Sequence, residues 1–242
     1  MYHFYSQTQR GSKSSKNDDC FLINNYIAQN GSYKAQSKKN SFIIGVADGL
    51  GSAPKGSFAA NYLLEQISQH KNQLTHALIL NIINNVHAYL GKEFFCKAST
   101  VFTIVYSSNE LITVYHLGDT RAYKLTKRNL IQLTNDHTYV QELIDAGVIG
   151  DGMRYNHPYK NVVKQSLGGK NGIHIDVYNN VFEPDERLLL TSDGIHDYLK
   201  KEEIEGILRK STNIQENVIN LINKSLEKGS SDDLTALVVK YM

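Results

Sequence analysis

The chain has 242 residues, 26 basic against 24 acidic side chains, a formal charge of +2 and 41% hydrophobic residues. That length buries roughly 70% of an unfolded chain's surface without disulfide staples, and near-neutrality without long runs of like charge nominates neither nucleic acid nor a membrane surface as partner. Cys20 and Cys96 make no disulfide framework and fit a reducing, cytoplasmic setting, while no stretch has the apolar length of a signal peptide or a membrane span.

In chain order, Cys20–Ile27 and Phe42–Ala47 read as strands, with the polar stretch Gly31–Asn40 between them as a loop. A helix is predicted from Ser57 to Gln69. A second places Leu78, Ile79, Ile82, Ile83, Val86 and Leu90 on one face, with Gly91 as its stop. Strands follow at Thr100–Tyr106, Leu111–Leu117 and Ala122–Leu125, then a short helix, Tyr139–Ala146, and a loop over Gly147–Lys160. Ile173–Tyr178 and Arg187–Thr191 are strands, Lys201–Leu208 and Gln215–Lys228 helices, and Leu234–Lys240 is the last strand. This order lacks the strict alternation of a parallel sheet and predicts an α+β layered sandwich, one domain over 1–242.

The chemistry sits where the aspartates fall. FIIGVA runs into Asp48-Gly49, VYHLG into Asp119 and RLLLTS into Asp193-Gly194; Asp232-Asp233 precedes LTALVV, and Asp18-Asp19 opens CFLINN. A single Asp-Gly is most often just a turn. Repeated at the ends of apolar strands that share one core, the carboxylates are able to converge. Converging carboxylates stay ionised together only if a cation compensates them, and all-oxygen ligands favour Mg²⁺ or Mn²⁺ over zinc. Glycine after Asp48 and Asp193 allows close backbone approach, so the Gly49 carbonyl is a further candidate ligand.

In these segments the chain resembles the metal-dependent protein phosphatases of type 2C. NDDCFLINN is similar to that family's first acidic motif and GVADGLGSAPKG to its second; AST, YHLGDTRAYKL, LTNDHTYVQELIDAGVI, NVVKQSLGG, LLLTSDGIHDYL and SSDDLTALVV follow in the family's order. The resemblance implies a four-layer α-β-β-α sandwich and a centre of two Mn²⁺ or Mg²⁺ ions bridged by Asp48. The Gly49 carbonyl binds one of the ions, Asp193 and Asp232 ligate the same ion as the neighbourhood of Asp19, Asp18 acts mainly through waters, and Asp19 joins Asp48 in holding the bridging water. Asp119 and Asp197 serve an additional, weaker ion. Its substrates are phosphorylated proteins, in opposition to a cognate kinase, and a cytoplasmic monomer is expected.

Water between two divalent ions is activated for in-line attack on phosphorus, so no protein nucleophile is needed. A cysteine-phosphatase loop is excluded, because the positions six after Cys20 and Cys96 are Tyr26 and Phe102 rather than arginine. Three departures from the family stand out. Its phosphate-clamping arginine falls on Ser14, leaving Lys13 as a phosphate contact, with Lys16 and Arg10 nearby; Leu50 replaces the histidine some members use as an acid; and Asp233 stands where asparagine is usual. The missing arginine supports one rival reading, a pseudophosphatase that keeps the fold for phosphoprotein recognition. His137 and His157 are expected to be structural.

Overall fold

The computed structural model describes residues 1–71 and 73–242. Among these residues, twelve strands form two six-stranded antiparallel sheets. The first has the spatial order β4 (Gly31–Ser37), β1 (Tyr2–Gln9), β12 (Leu234–Tyr241), β11 (Arg187–Thr191), β8 (Arg121–Leu125), β9 (Leu130–Gln132). The second runs β10 (Asp176–Val181), β7 (Leu111–Leu117), β6 (Thr100–Ser108), β5 (Ser41–Gly49), β2 (Asp19–Ile23), β3 (Tyr26–Ala28).

Side chains alternate between the faces of a strand, and this alternation builds three cores. Phe21, Ile44, Val46, Val105 and Val114 of the second sheet meet Phe4, Leu188, Leu190, Leu237 and Val239 of the first in the gap between the sheets. On the outer face of the second sheet, Cys20, Leu22, Ile43 and Ile104 pack against α1 (Gly56–Gln69) and α2 (His76–Glu93). On the outer face of the first, Tyr5, Leu189, Ala236 and Val238 pack against α5 (Lys201–Lys210) and α6 (Ile214–Glu227). Two short helices, α3 (Tyr139–Asp145) and α4 (Asp193–His196), and a 3₁₀ turn over Asp151–Asn156 lie in the connections. The result is the four-layer sandwich.

Several segments differ from the sequence reading. Cys20–Ile27 is a hairpin, β2 and β3, turned at Asn24, whose φ is 56°. Gly31–Ser37 is an edge strand rather than a loop: its inward residues include Tyr33 and Ala35, so its apolar signal is weak. The strand β1 reads as polar because Ser6 and Thr8, though buried, satisfy their hydroxyls on Ala236 O and Thr235 Oγ1. Gly91 does not stop α2. The helix continues to Glu93 and ends where Phe95 and Cys96 take φ values of 50° and 62°. Ile173–Tyr178 shifts to Asp176–Val181, in register with β7.

Candidate metal centre

The alternation that fills the gap between the sheets also aims the acids into one end of it. On β2 the inward series Phe21, Ile23 extends back to Asp19; on β5 the series Ile44, Val46 extends forward to Asp48. Asp19 and Asp48 are directly opposed across the two strands, a like-charge pair that destabilises a sheet unless compensated. On the facing sheet, the inward series of β11 leads to Ser192 and that of β12 to Thr235. Both hydroxyls donate to Asp19 Oδ2, Ser192 at 2.6 Å and Thr235 at 2.7 Å. Neither residue was foreseen from the sequence, although continuing the two-residue period past Leu190 and Leu237 finds both.

The other acids gather around this pair. A cleft of about 260 Å³ is lined by Asp18, Asp48, Gly49, Asp119, Asp193, Asp232 and Asp233, with Ser14, Asn161 and Val163 on its walls. Asp18 sits at the start of α1, accepting from Ser57 N–H at 3.1 Å, and pairs with Lys16 Nζ at 3.2 Å. Asp193 opens α4 directly after β11, and Asp119 occupies the turn from β7 to β8. Asp197 lies beside the cleft in a smaller chamber that it shares with Asp119 and Asp193. Of the predicted acids, the cleft brings Asp18, Asp48, Asp119, Asp193 and Asp232 together; Asp19 is buried and does not line it, but stands directly opposite Asp48 across the strands. Lys13 is exposed, is absent from the cleft lining, and is held through its main-chain N–H to Ser231 O at 3.0 Å.

Burial, then repulsion from Asp19, Asp193, Asp119 and Asp232, holds the Asp48 carboxyl well above the usual carboxylate range. Asp193 is raised likewise, by burial and then by Asp119 and Asp232. Burial drives Asp19 up to about 7 against the opposing bonds from Ser192 and Thr235, and drives Asp119 to about 7, with Asp136 and Asp197 adding to it. Among the described residues no basic side chain is within ion-pair distance of Asp19, Asp48, Asp119, Asp193 or Asp232. Asp19 Oδ1 is buried without a hydrogen-bond partner. An orphaned carboxylate oxygen amid mutually repelling acids is the environment a cation completes. Among the described residues no trio of His, Cys, Asp or Glu closes into a ready-made cage. The acids are spread around the cleft, which suits hard cations that keep several waters.

Asp233 has its own role. Its Oδ1 accepts from Gly11 N–H and its Oδ2 from Asp18 N–H, each at 2.7 Å, so it clamps the segment that carries Ser14 and Asp18 onto the start of β12. With one N–H aimed at each oxygen, an asparagine in its place would turn its NH₂ towards one of the two donors. His137 braces the Asp119 turn: its main-chain N–H donates to Gly118 O at 2.7 Å and its Nδ1 accepts from Gly118 N–H at 3.3 Å. His157 Nδ1 accepts from Tyr159 N–H at 3.2 Å, a turn contact. Cys20 is buried, with its thiol pushed far up by burial, and is no nucleophile.

Two stacked sheets that meet at an acidic, all-oxygen cleft make a site suited to hard divalent cations. The family model described as "Protein phosphatase 2C" matches residues 28–229, and the chain belongs to that family. Serine/threonine phosphatase stp of Listeria welshimeri is 27% identical over 223 residues, covering 85% of this chain and 86% of the relative. Serine/threonine phosphatase Stp1 from Staphylococcus aureus superposes with a TM-score of 0.86 at 22% identity, over 100% of this chain and 96% of its own. The catalytic domain of PstP in complex with 2 manganese ions superposes with a TM-score of 0.79 at 21% identity, over 99% of each chain.

Proposed function

We propose that this chain, a metal-dependent protein serine/threonine phosphatase, hydrolyses phosphoserine and phosphothreonine in proteins at the cleft between its sheets. The observation that carries the reading is the opposed Asp19–Asp48 pair with Asp119, Asp193 and Asp232 about it, five acids that among the described residues have no basic side chain within ion-pair distance. Asp48 would bridge two divalent ions, Mn²⁺ or Mg²⁺, with the Gly49 carbonyl on one and Asp193 and Asp232 on the other. When bound, the ions supply an activated water for in-line attack on phosphorus and neutralise charge on the phosphoryl oxygens.

The chain's own groups do the positioning. Asp19, fixed by Ser192 and Thr235 and left with one unpartnered oxygen, would join Asp48 in holding the water that the ions activate. Asp18 acts through waters, and Asp119 and Asp197 would belong to an additional, weaker ion. With Ser14 in the arginine position, Lys16 at the rim, together with Lys13 on the same exposed segment, is the proposed source of positive charge for phosphate. A lysine contributes a point charge, so phosphate is oriented chiefly by the ions. Residues 1–242 act as one catalytic domain, and the setting is a cytoplasmic monomer opposing a kinase. Among the described residues no helix is long and apolar enough to cross a membrane.

The test is turnover of a phosphothreonine peptide, and of p-nitrophenyl phosphate, with Mn²⁺ and with chelator. The wild type should turn over both only with the ion. Asp48→Asn and Asp193→Asn should lose about a thousandfold or more in kcat, the several kcal/mol that bound ions supply, and should take up Mn²⁺ weakly. Inactivity at every Mn²⁺ concentration, or full activity in both variants, would overturn the assignment.

A further inference from the structure

Beside the main cleft, Asp119, Asp193 and Asp197 share a chamber with Arg121, Arg154 and Lys160. The two arginines are already engaged. Arg121 grips Asp136 in a buried bidentate pair, and Arg154 bonds Asp136 at 3.3 Å and Asp151 at 2.9 Å. That leaves Lys160 as the chamber's remaining cation, and its ammonium donates to Asp197 Oδ2 at 3.0 Å while lying 5.5 Å from the Tyr198 ring centroid. Lys160 belongs to the segment between α3 and β10. Two of the next three residues, Asn161 and Val163, line the main cleft, and this segment is tied down by Tyr139 N–H to Val162 O and by Lys164 N–H to His137 O.

We propose that Lys160 is a built-in cation standing in for the additional divalent ion at Asp197, and that its ion pair latches the 151–165 segment over the metal centre. The inference rests on the metal-centre reading above. Two observations support it beyond the contact itself. The chamber volume is about 20 Å³ with Lys160 in place, room for a water but not for an ion carrying a hydration shell. A divalent ion and an ammonium also compete for the same Asp197 oxygen, so an ion entering there must displace Lys160 and remove its tie on the segment that bears Asn161 and Val163, leaving the backbone bonds to Tyr139 and His137. By linkage, the ion then favours the open segment by the same factor as opening favours the ion. The additional, weaker ion at Asp119 and Asp197 would thus bind only by displacing the chain's own ammonium.

The experiment counts bound Mn²⁺ by electron paramagnetic resonance titration, and in parallel follows hydrogen exchange of residues 151–165. It compares the wild type with Lys160→Met, which keeps the aliphatic stem and removes the charge, and with Asp197→Asn. The wild type should bind two ions tightly, with its segment protected. Lys160→Met should bind a third about tenfold more tightly than the wild type does, within the usual range of allosteric coupling, and should exchange faster across the segment. Asp197→Asn should exchange faster without gaining the third ion. Equal third-ion affinity in the wild type and Lys160→Met, or protection unchanged in both variants, would overturn the latch while leaving the two-ion centre intact. Failure of the wild type to bind any Mn²⁺ would overturn the metal-centre reading and the latch with it.

Discussion

His116, on β7, has no exposed surface; its Nε2–H donates to Asn135 O and its Nδ1 accepts from the Thr103 hydroxyl, each at 3.0 Å. Burial, and then the neighbouring His137, pulls its pKa down to about 4 from 6.5. Between those values the unfolded chain binds the proton and the folded chain does not, so stability falls as pH drops through the window. The loss amounts to roughly 3 kcal/mol over that span. The acids of the cleft, raised in the fold, act with the opposite sign, but they cancel in the difference between the wild type and His116→Gln. Denaturant unfolding should show that difference shrinking by about 3 kcal/mol between pH 7 and pH 4; a difference independent of pH would mean that His116 is not the titrating group. The acids of the cleft were legible in the sequence, because Asp48, Asp119 and Asp193 each follow an apolar run and Asp18-Asp19 and Asp232 each precede one. The sequence did not reveal their hydroxyl partners, or that Asp233 holds the Gly11–Asp18 segment, since both depend on which strands lie face to face.

The elements carrying the acids are joined by backbone contacts that admit no side chain. A Cβ on Gly194 would lie well inside van der Waals contact of Asp233 O, and one on Gly49 inside that of the Gly56 backbone. The glycines after Asp48 and Asp193 therefore serve helix–strand packing first: α4 against the start of β12, and β5 against the start of α1. Gly194→Ala should cost about 3 kcal/mol by forcing α4 off β12, lowering Tm by several degrees as read by calorimetry. Gly206→Ala, in α5 with nothing within 4 Å of the added carbon, should instead stabilise by about 0.5–1 kcal/mol through helix propensity. Loss of comparable stability in both would refute the contact argument. Long apolar helices and strands were legible because their periods span many residues. The edge strand Gly31–Ser37 and strand β1 were not, because polar residues there are satisfied by neighbours far away in sequence.

Across the whole molecule, the centre stands where the two sheets meet. Asp19 and Asp48 belong to one sheet, while Asp193 and Asp232 flank strands of the other. Divalent ions there would clip the sheets together and relieve the repulsion. Mn²⁺ at a hundredfold over its Kd should raise stability by about 2.7 kcal/mol, with chelator reversing the rise in Tm and Asp48→Asn abolishing it. A Tm indifferent to Mn²⁺ would refute the clip. The layer architecture was legible from the order of elements; the spatial order of strands was not, because β12 pairs with both β1 and β11, its partners at opposite ends of the sequence and in its interior.

That placement of β12 governs when activity arises. As the chain leaves the ribosome, β1 and β11 wait with unpaired edges, and Asp19 Oδ2 still lacks the Thr235 hydroxyl, 216 positions later. Contacts so distant in sequence close late in folding. The cleft is thus completed only once β12 has paired with both neighbours, and a chain cut before Asp232 should fail to turn over the phosphothreonine peptide.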